Sequence, residues 1–329
     1  MRSLILSSTL TIAALAGNVT VPADETRDYP APATHTVPRA ARRASADAPP
    51  TAELPPISRA TSLLVVAPHP DDESLCCAGI IQRVIQVGGR VSVVWITSGD
   101  ASEIDRLVIE KRVFGSTGKM RDLGERRMHE AQDAATILGL APEHLYFLGY
   151  PDRGVLALAT DNYVTPYRSR FTGAASVPYR AALFPGHPYT GQSLEEDFTT
   201  VLERTQPTLI LAPSPRDSHP DHRATGIITI RVLSHRHELT RARYWIVHGG
   251  EDWPRPKGFE PGLALTPAPL DAGLSPAPFP LDSGEEQRKL FAIRAYHTQM
   301  KVTSTNLLSF VRRNELFSSR PVPQEAPSD

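Results

Sequence analysis

Two short apolar runs, residues 63–67 (LLVVA) and 208–212 (TLILA), each stop at a proline that opens a cluster of imidazoles and carboxylates. Consecutive β-branched and aliphatic residues without polar alternation suit a strand buried on both faces, as in a parallel sheet covered by helices. Helical patterns follow both clusters. Leu75, Ala78, Ile81 and Ile85 recur at helical spacing over 74–87 and end at Gly88-Gly89, and a second helix is expected over 224–233. Between and after them, strands are expected at 91–96, 144–148 and 242–247, and helices at 124–140, 194–204, 285–296 and 305–313. This alternation predicts one α/β, Rossmann-like domain with a mostly parallel sheet flanked by helices. Its site should lie at the carboxyl ends of the strands.

The flanks divide the chain further. Residues 1–16 carry one basic residue, Arg2, an apolar stretch and a small-x-small end at Ala14-Leu15-Ala16. That pattern predicts a signal peptide, hence export to a periplasmic or extracellular location, and it is too short to span a bilayer. Residues 17–60 hold eight prolines without apolar periodicity and read as a Pro/Ala-rich linker. The folded domain is expected over 61–319, with a disordered tail at 320–329. A formal net charge of -1 gives no global basic field for nucleic acid, and no transmembrane segment is expected. The two cysteines, Cys76 and Cys77, are adjacent and cannot tie distant segments together, so they read as small core residues. The oligomeric state is not legible.

The chemistry lies in the strand-end clusters. The first offers His69-x-x-Asp72 and the second His219-x-x-His222. Three-residue spacing at the start of a helix projects both members to one side, and a parallel sheet brings the two loops to one crevice. Imidazole with carboxylate suits one Zn²⁺, with three protein ligands leaving a position for water. Asp71 is then a spare carboxylate for general-base work, and the second loop has a spare histidine for electrostatic or acid work. Spacing alone does not say whether His219 or His222 is the ligand. Asp221 is expected to orient the spare histidine and Glu73 to hold a ligand from behind. Asp100 and Asp152, which follow strand ends, are further candidates for holding a ligand or a substrate hydroxyl. Arg127, in an R-x-x-E pair with Glu130, and His297 are candidates for substrate binding.

PHPDDE at 68–73 and HPDH at 219–222, together with TSGD at 97–100, FLGYPD at 147–152 and YHTQ at 296–299, resemble the LmbE/PIG-L family of zinc-dependent N-acetylglucosaminyl de-N-acetylases. The resemblance runs collinearly from about 62 to 299. It implies His69, Asp72 and His222 as zinc ligands, Asp71 as the base and His219 as the electrostatic or acid partner. It also implies a metal-dependent amidohydrolase that removes an N-acetyl or other N-acyl group from a small molecule or glycoconjugate containing an amino sugar. A non-catalytic glycan-binding protein on the same fold would need a broken ligand set. A metal-dependent phosphoesterase would recruit more carboxylates for a second ion. Residues 101–123 and 155–191 match no general family motif and are expected to select the substrate. In the latter, Tyr163, Tyr167, Tyr179 and Tyr189 with Arg168, Arg170 and Arg180 are candidates for lining a groove.

Overall fold

The computed structural model describes residues 54–101, 117–250 and 252–319. The expected signal peptide, most of the linker and the C-terminal tail lie outside the described residues. So do residues 102–116 of the stretch expected to help select the substrate. The strands are β1 (Ser62–Ala67), β2 (Arg90–Thr97), β3 (Leu145–Tyr150), β4 (Leu209–Pro213) and β5 (Ala242–Trp245). They pair in the order β3-β2-β1-β4-β5, all parallel. The expected α/β fold with a parallel sheet is therefore the fold observed. β1 and β4 are buried at every position, which is why neither alternates in polarity.

Five helices interleave with or flank this sheet: α1 (Asp72–Gln86), α2 (Thr117–Leu138), α3 (Val155–Ala159), α4 (Gly191–Thr205) and α5 (Pro220–His235). The chain moves outward from β1 through β2 to β3, then returns to place β4 on the other side of β1. The loops after β1 and β4 thus splay apart at the point where the strand order reverses, where open α/β sheets form a crevice. Both metal-type motifs sit in those two loops.

The C-terminal part differs from expectation. After α6 (Ser283–Ala295), the second terminal helix is α7 (His297–Leu308), not 305–313. Where no strand was expected, β6 (Ala277–Pro280) and β7 (Asn314–Phe317) form a two-stranded antiparallel ribbon. Glu315 of β7 reaches into α1, accepting from the backbone N–H groups of Gly79 (2.8 Å) and Ile80 (3.1 Å), with buried Lys289 at 2.9 Å as its counter-ion. Gly79 is required there because a Cβ would collide with Leu281. Cys76 and Cys77 are buried in α1, as expected, and their sulfurs are joined in a disulfide between adjacent residues.

Candidate active site

Pro68 and Pro70 end β1, and Thr97 anchors the turn by donating both its amide and its hydroxyl to the Pro68 carbonyl. Asp71 then adopts φ 124°, a strained conformation for a residue with a side chain, while its carbonyl starts α1 by accepting from Ser74 and Leu75. Its side chain does not cap the helix. It is met instead by Arg127 of α2, whose guanidinium donates to the Asp71 carboxylate (3.1 Å) and to the carbonyls of Pro70 (2.6 Å) and Gly99 (3.0 Å). A side chain at Gly99 would collide with that guanidinium. Arg127 is therefore a buried partner of Asp71 and not half of a helix-surface pair. Glu130, its expected companion, accepts from the Thr298 amide and hydroxyl at the start of α7.

Beside Asp71, three donor atoms form a nearly equilateral triangle. His69 Nδ1 lies 3.3 Å from Asp72 Oδ2, His222 Nε2 lies 3.2 Å from the same oxygen, and the two ring nitrogens are 3.3 Å apart. Donors about 2.0–2.1 Å from a tetrahedral cation are separated by about 3.3–3.4 Å, so these three fit one face of such a site and leave the fourth position open. His69, His219 and His222 also present ring nitrogens within 4.8 Å of one another, a looser group than the Asp72 triangle. Both histidines are supported from behind. Asp217 accepts from the Val247 and His248 amides at 3.0 Å and lies 3.2 Å from His222 Nδ1, while Asp152 and Asp221 each lie 3.4 Å from His69 Nε2.

The electrostatics favour positive charge in this triangle. Burial alone would push the His222 pKa down, but Asp72 and Asp217 raise it to about 9. Burial likewise opposes a proton on His69, and Asp152, Asp221 and Asp72 reverse that. Against its own burial, Asp72 is held well below the usual carboxylate range by His222 and His69. A pocket that draws protons onto two imidazoles draws a divalent cation for the same reason. Asp71 behaves differently: burial pushes its pKa to about 7, with Arg127 opposing and Asp72 reinforcing the shift.

His219 stands outside the triangle, edge-on to His69 with ring centroids 4.9 Å apart. Burial and the neighbouring His69 and His222 lower its pKa to about 2. Its Nδ1 accepts the Asp221 backbone N–H at 3.3 Å, so the neutral ring carries its proton on Nε2 and can donate from there.

Several expectations require correction. Asp221 does not orient His219 with its carboxylate, which instead accepts from the Arg153 and Val155 amides at the start of α3. Glu73 holds neither His69 nor Asp72. It is fully buried and accepts from Trp95, Ser74, Tyr296 and the Asp71 backbone, so it anchors the loop itself. His297 is exposed on α7 and absent from the site, whereas Tyr296 and Gln299 on either side of it turn inward. Asp100 accepts from Tyr179 and from the Asp152 amide, and it helps build the floor rather than a ligand shell. Asp217 and His248 were not singled out from sequence. His248 lies against His222, with ring centroids 4.6 Å apart, at the mouth of the cavity. Its position after β5 was the available signal, because every strand of the sheet ends at this edge.

A cavity of about 390 Å³ opens over Asp71, Asp72, His69 and His219. Residues 155–191 contribute nothing to its lining, contrary to expectation. Tyr179 and Tyr189 are buried in the core, donating to Asp100 and the Gly149 carbonyl. The outer wall comes from Val247, His248, Trp253 and Lys257 and from one side of α7.

Comparison with known proteins places this arrangement. The deacetylase of the antimicrobial A40926 pseudoaglycone shares the fold, at a TM-score of 0.50 and 20% identity, covering 79% of this chain and 96% of that one. The 1D-myo-inositol 2-acetamido-2-deoxy-alpha-D-glucopyranoside deacetylase of Corynebacterium diphtheriae is 28% identical over 173 residues, 51% of this chain and 51% of its own length. That of Mycobacteroides abscessus is 26% identical over 261 residues, 73% of this chain and 82% of its own length. The chain thus spans about half the length of the first of these relatives and most of the second. Residues 64–233, which include both halves of the donor triangle, match the family described as PIG-L, GlcNAc-PI de-N-acetylase, and the chain belongs to that family.

Proposed function

We propose that this protein is a zinc-dependent hydrolase that removes an N-acetyl group from a substrate containing an amino sugar. The observation that carries the reading is the donor triangle of His69, Asp72 and His222 with an additional carboxylate, Asp71, held beside it by Arg127. A zinc ion held by those three residues would lower the pKa of water and polarise the amide carbonyl. The remaining work falls to side chains of this chain. Asp71 accepts the proton of the attacking water and returns it to the departing amine, so that amide and water become acetate and a free amine. A pKa displaced upward by burial suits a group that must both take and release a proton near neutrality. His219, neutral with its proton on Nε2, donates to the carbonyl oxygen as negative charge develops there. Arg127 fixes Asp71 in its strained backbone position, and Asp217 fixes the ring of His222.

The printed activities of the Corynebacterium and Mycobacteroides relatives support an N-acetylated glucosamine unit as the substrate core. The pattern at residues 1–16 supports export. The test is release of free amine and acetate from N-acetylglucosamine and its glycosides by purified protein, with bound metal measured in parallel. About one zinc per chain, and turnover that is lost with a chelator and restored by zinc, are expected. Chelator-insensitive turnover, or none from any N-acetylated sugar by zinc-loaded protein, would overturn the proposal.

A further inference from the structure

The cavity extends well past the reacting groups. Besides His69, Asp71 and Asp72, its lining includes Trp253 and Lys257, and Leu307 and Phe310 at the end of a helix that starts where Tyr296 meets Glu73. This helix, α7, which is kinked at Thr303, contributes Gln299, Thr303 and Leu307 to its wall. The lining is mixed in character. Gln299, 7% exposed, places a side-chain N–H₂ group with no hydrogen-bond partner in the cavity wall. A buried donor without an acceptor is unfavourable, and a bound acceptor would remove that cost. Elsewhere the surface is apolar, and Trp253 and Phe310 pack edge to face with centroids 5.5 Å apart.

Lys257 lies beside this aromatic pair, on an exposed side chain whose ammonium donates to the Trp253 carbonyl at 2.8 Å. Among the described residues it has no carboxylate partner within ion-pair distance, and Asp252 of the same segment pairs with Arg255. The segment is held in place. The buried Arg312 donates to the carbonyls of Pro256 (2.6 Å) and Glu260 (3.2 Å), Ser309 accepts from the Gly258 amide (2.7 Å), and Trp253 donates to the Thr266 carbonyl (3.0 Å). A wall fixed in this way loses little freedom when a ligand binds. Trp253, Lys257, Leu307 and Phe310 all lie beyond residues 64–233, the stretch that matches the family.

We infer that this wall of the cavity is a subsite for the aglycone of the substrate, and that this aglycone is apolar next to the sugar and carries an anionic group that pairs with Lys257. The inference rests on the proposed deacetylase activity for the orientation of the sugar. The anion can be a carboxylate or a phosphate, since the ammonium is a point charge that accepts either.

The test uses zinc-loaded wild-type protein and four N-acetylglucosaminides: methyl, phenyl, 4-carboxyphenyl and 4-phosphooxyphenyl. Amine release gives kcat/KM, and equilibrium binding of the corresponding free-amine glycosides, which are not turned over, is measured separately. The phenyl compound should exceed the methyl one, and one of the anionic compounds should exceed phenyl by about tenfold in kcat/KM and in affinity. The larger of the two anionic ratios identifies the anion. In Lys257→Gln the anionic-to-phenyl ratio should fall to about one, and Lys257→Arg should restore it. Equal affinity for phenyl and both anionic compounds in the wild type would overturn the inference, as would a ratio unchanged in Lys257→Gln. The methyl glycoside keeps the two readings separate. Chelator-sensitive turnover of it without any anionic preference removes only the subsite, whereas no turnover with intact anionic preference in binding removes only the deacetylase reading.

Discussion

At the scale of single residues, the strained Asp71 backbone makes a sharp prediction. Asn tolerates positive φ and still accepts from Arg127, so Asp71→Asn should keep its zinc while kcat falls by about 10²–10⁴-fold, read by metal analysis beside amine release. Asp217→Ala should do the converse. With no carboxylate behind His222, zinc affinity measured against a chromogenic chelator should fall about 10–100-fold. Asp100 carries a pH dependence. Burial, reinforced by Asp152, raises its pKa to about 7 from an unfolded value near 3.8, so between these values the unfolded chain ionises while the folded chain keeps its proton. Wild-type stability therefore drains away as pH rises through that window. Asp100→Asn, which cannot ionise but still accepts from Tyr179, should gain thermal stability over wild type from pH 4 to pH 7 and hold the gain above it. A melting-temperature difference that stays constant with pH would show that Asp100 is ionised in the fold. The convergence of His69, Asp71 and Asp72 with the 219–222 loop was legible because three-residue spacing after a buried strand brings both loops to one crevice, whereas the choice of His222 over His219 came from the family resemblance alone. His248 was not legible, because its contact with His222 depends on β4 and β5 being neighbours, which no local pattern states. Asp217, five residues before His222 in the same loop, is fixed in place by the Val247 and His248 amides that follow β5. His297 was misread for a finer reason: at a helix start, one residue separates a side chain in solvent from Tyr296, which reaches Glu73.

At the scale of elements, the central strands and their helices were readable from their apolar runs, whereas the C-terminal pieces were not. β6 and β7 are four residues each, and β6 contains Pro278 and Pro280, which weaken any strand signal. α7 begins eight residues before the expected helix because Glu130 of α2 binds the Thr298 amide and hydroxyl, a tertiary cap supplied from 168 residues away. The same tertiary control appears where Glu315 of β7 takes two amide protons of α1. Lys289, fully buried, is the ion-pair partner of that carboxylate. Lys289→Met should therefore cost about 3–5 kcal/mol in urea unfolding, since it leaves a buried charge whose remaining partners are amide dipoles. A Lys289→Met, Glu315→Gln double variant should recover part of that loss. If the single variant costs nothing, the pair is dispensable and the ribbon is held by Phe279 and Phe317, whose ring centroids are 6.4 Å apart.

At the scale of the whole molecule, the donor triangle is a cross-link between two parts of the chain that only the sheet brings together. His69 and Asp72 follow β1, His222 follows β4, and 153 residues separate the two histidines. The unfolded chain has no such arrangement, so zinc should bind the native state in strong preference and its binding energy should appear as folding stability. At free zinc about a hundred times the dissociation constant, the gain is about 2.7 kcal/mol, which corresponds to a rise of about 5–10 °C in Tm for a domain of this size. Titrating zinc into metal-stripped protein should therefore raise Tm with the logarithm of free zinc and without a plateau. The rise should disappear in His222→Ala, survive in Asp71→Asn and be reduced in Asp217→Ala, because the three side chains stand respectively in the triangle, beside it and behind it. Magnesium, which prefers oxygen donors and six-fold coordination, should leave Tm unchanged against two imidazoles and one carboxylate. A zinc response that survives in His222→Ala would place the stabilising ion elsewhere and detach stability from the catalytic geometry.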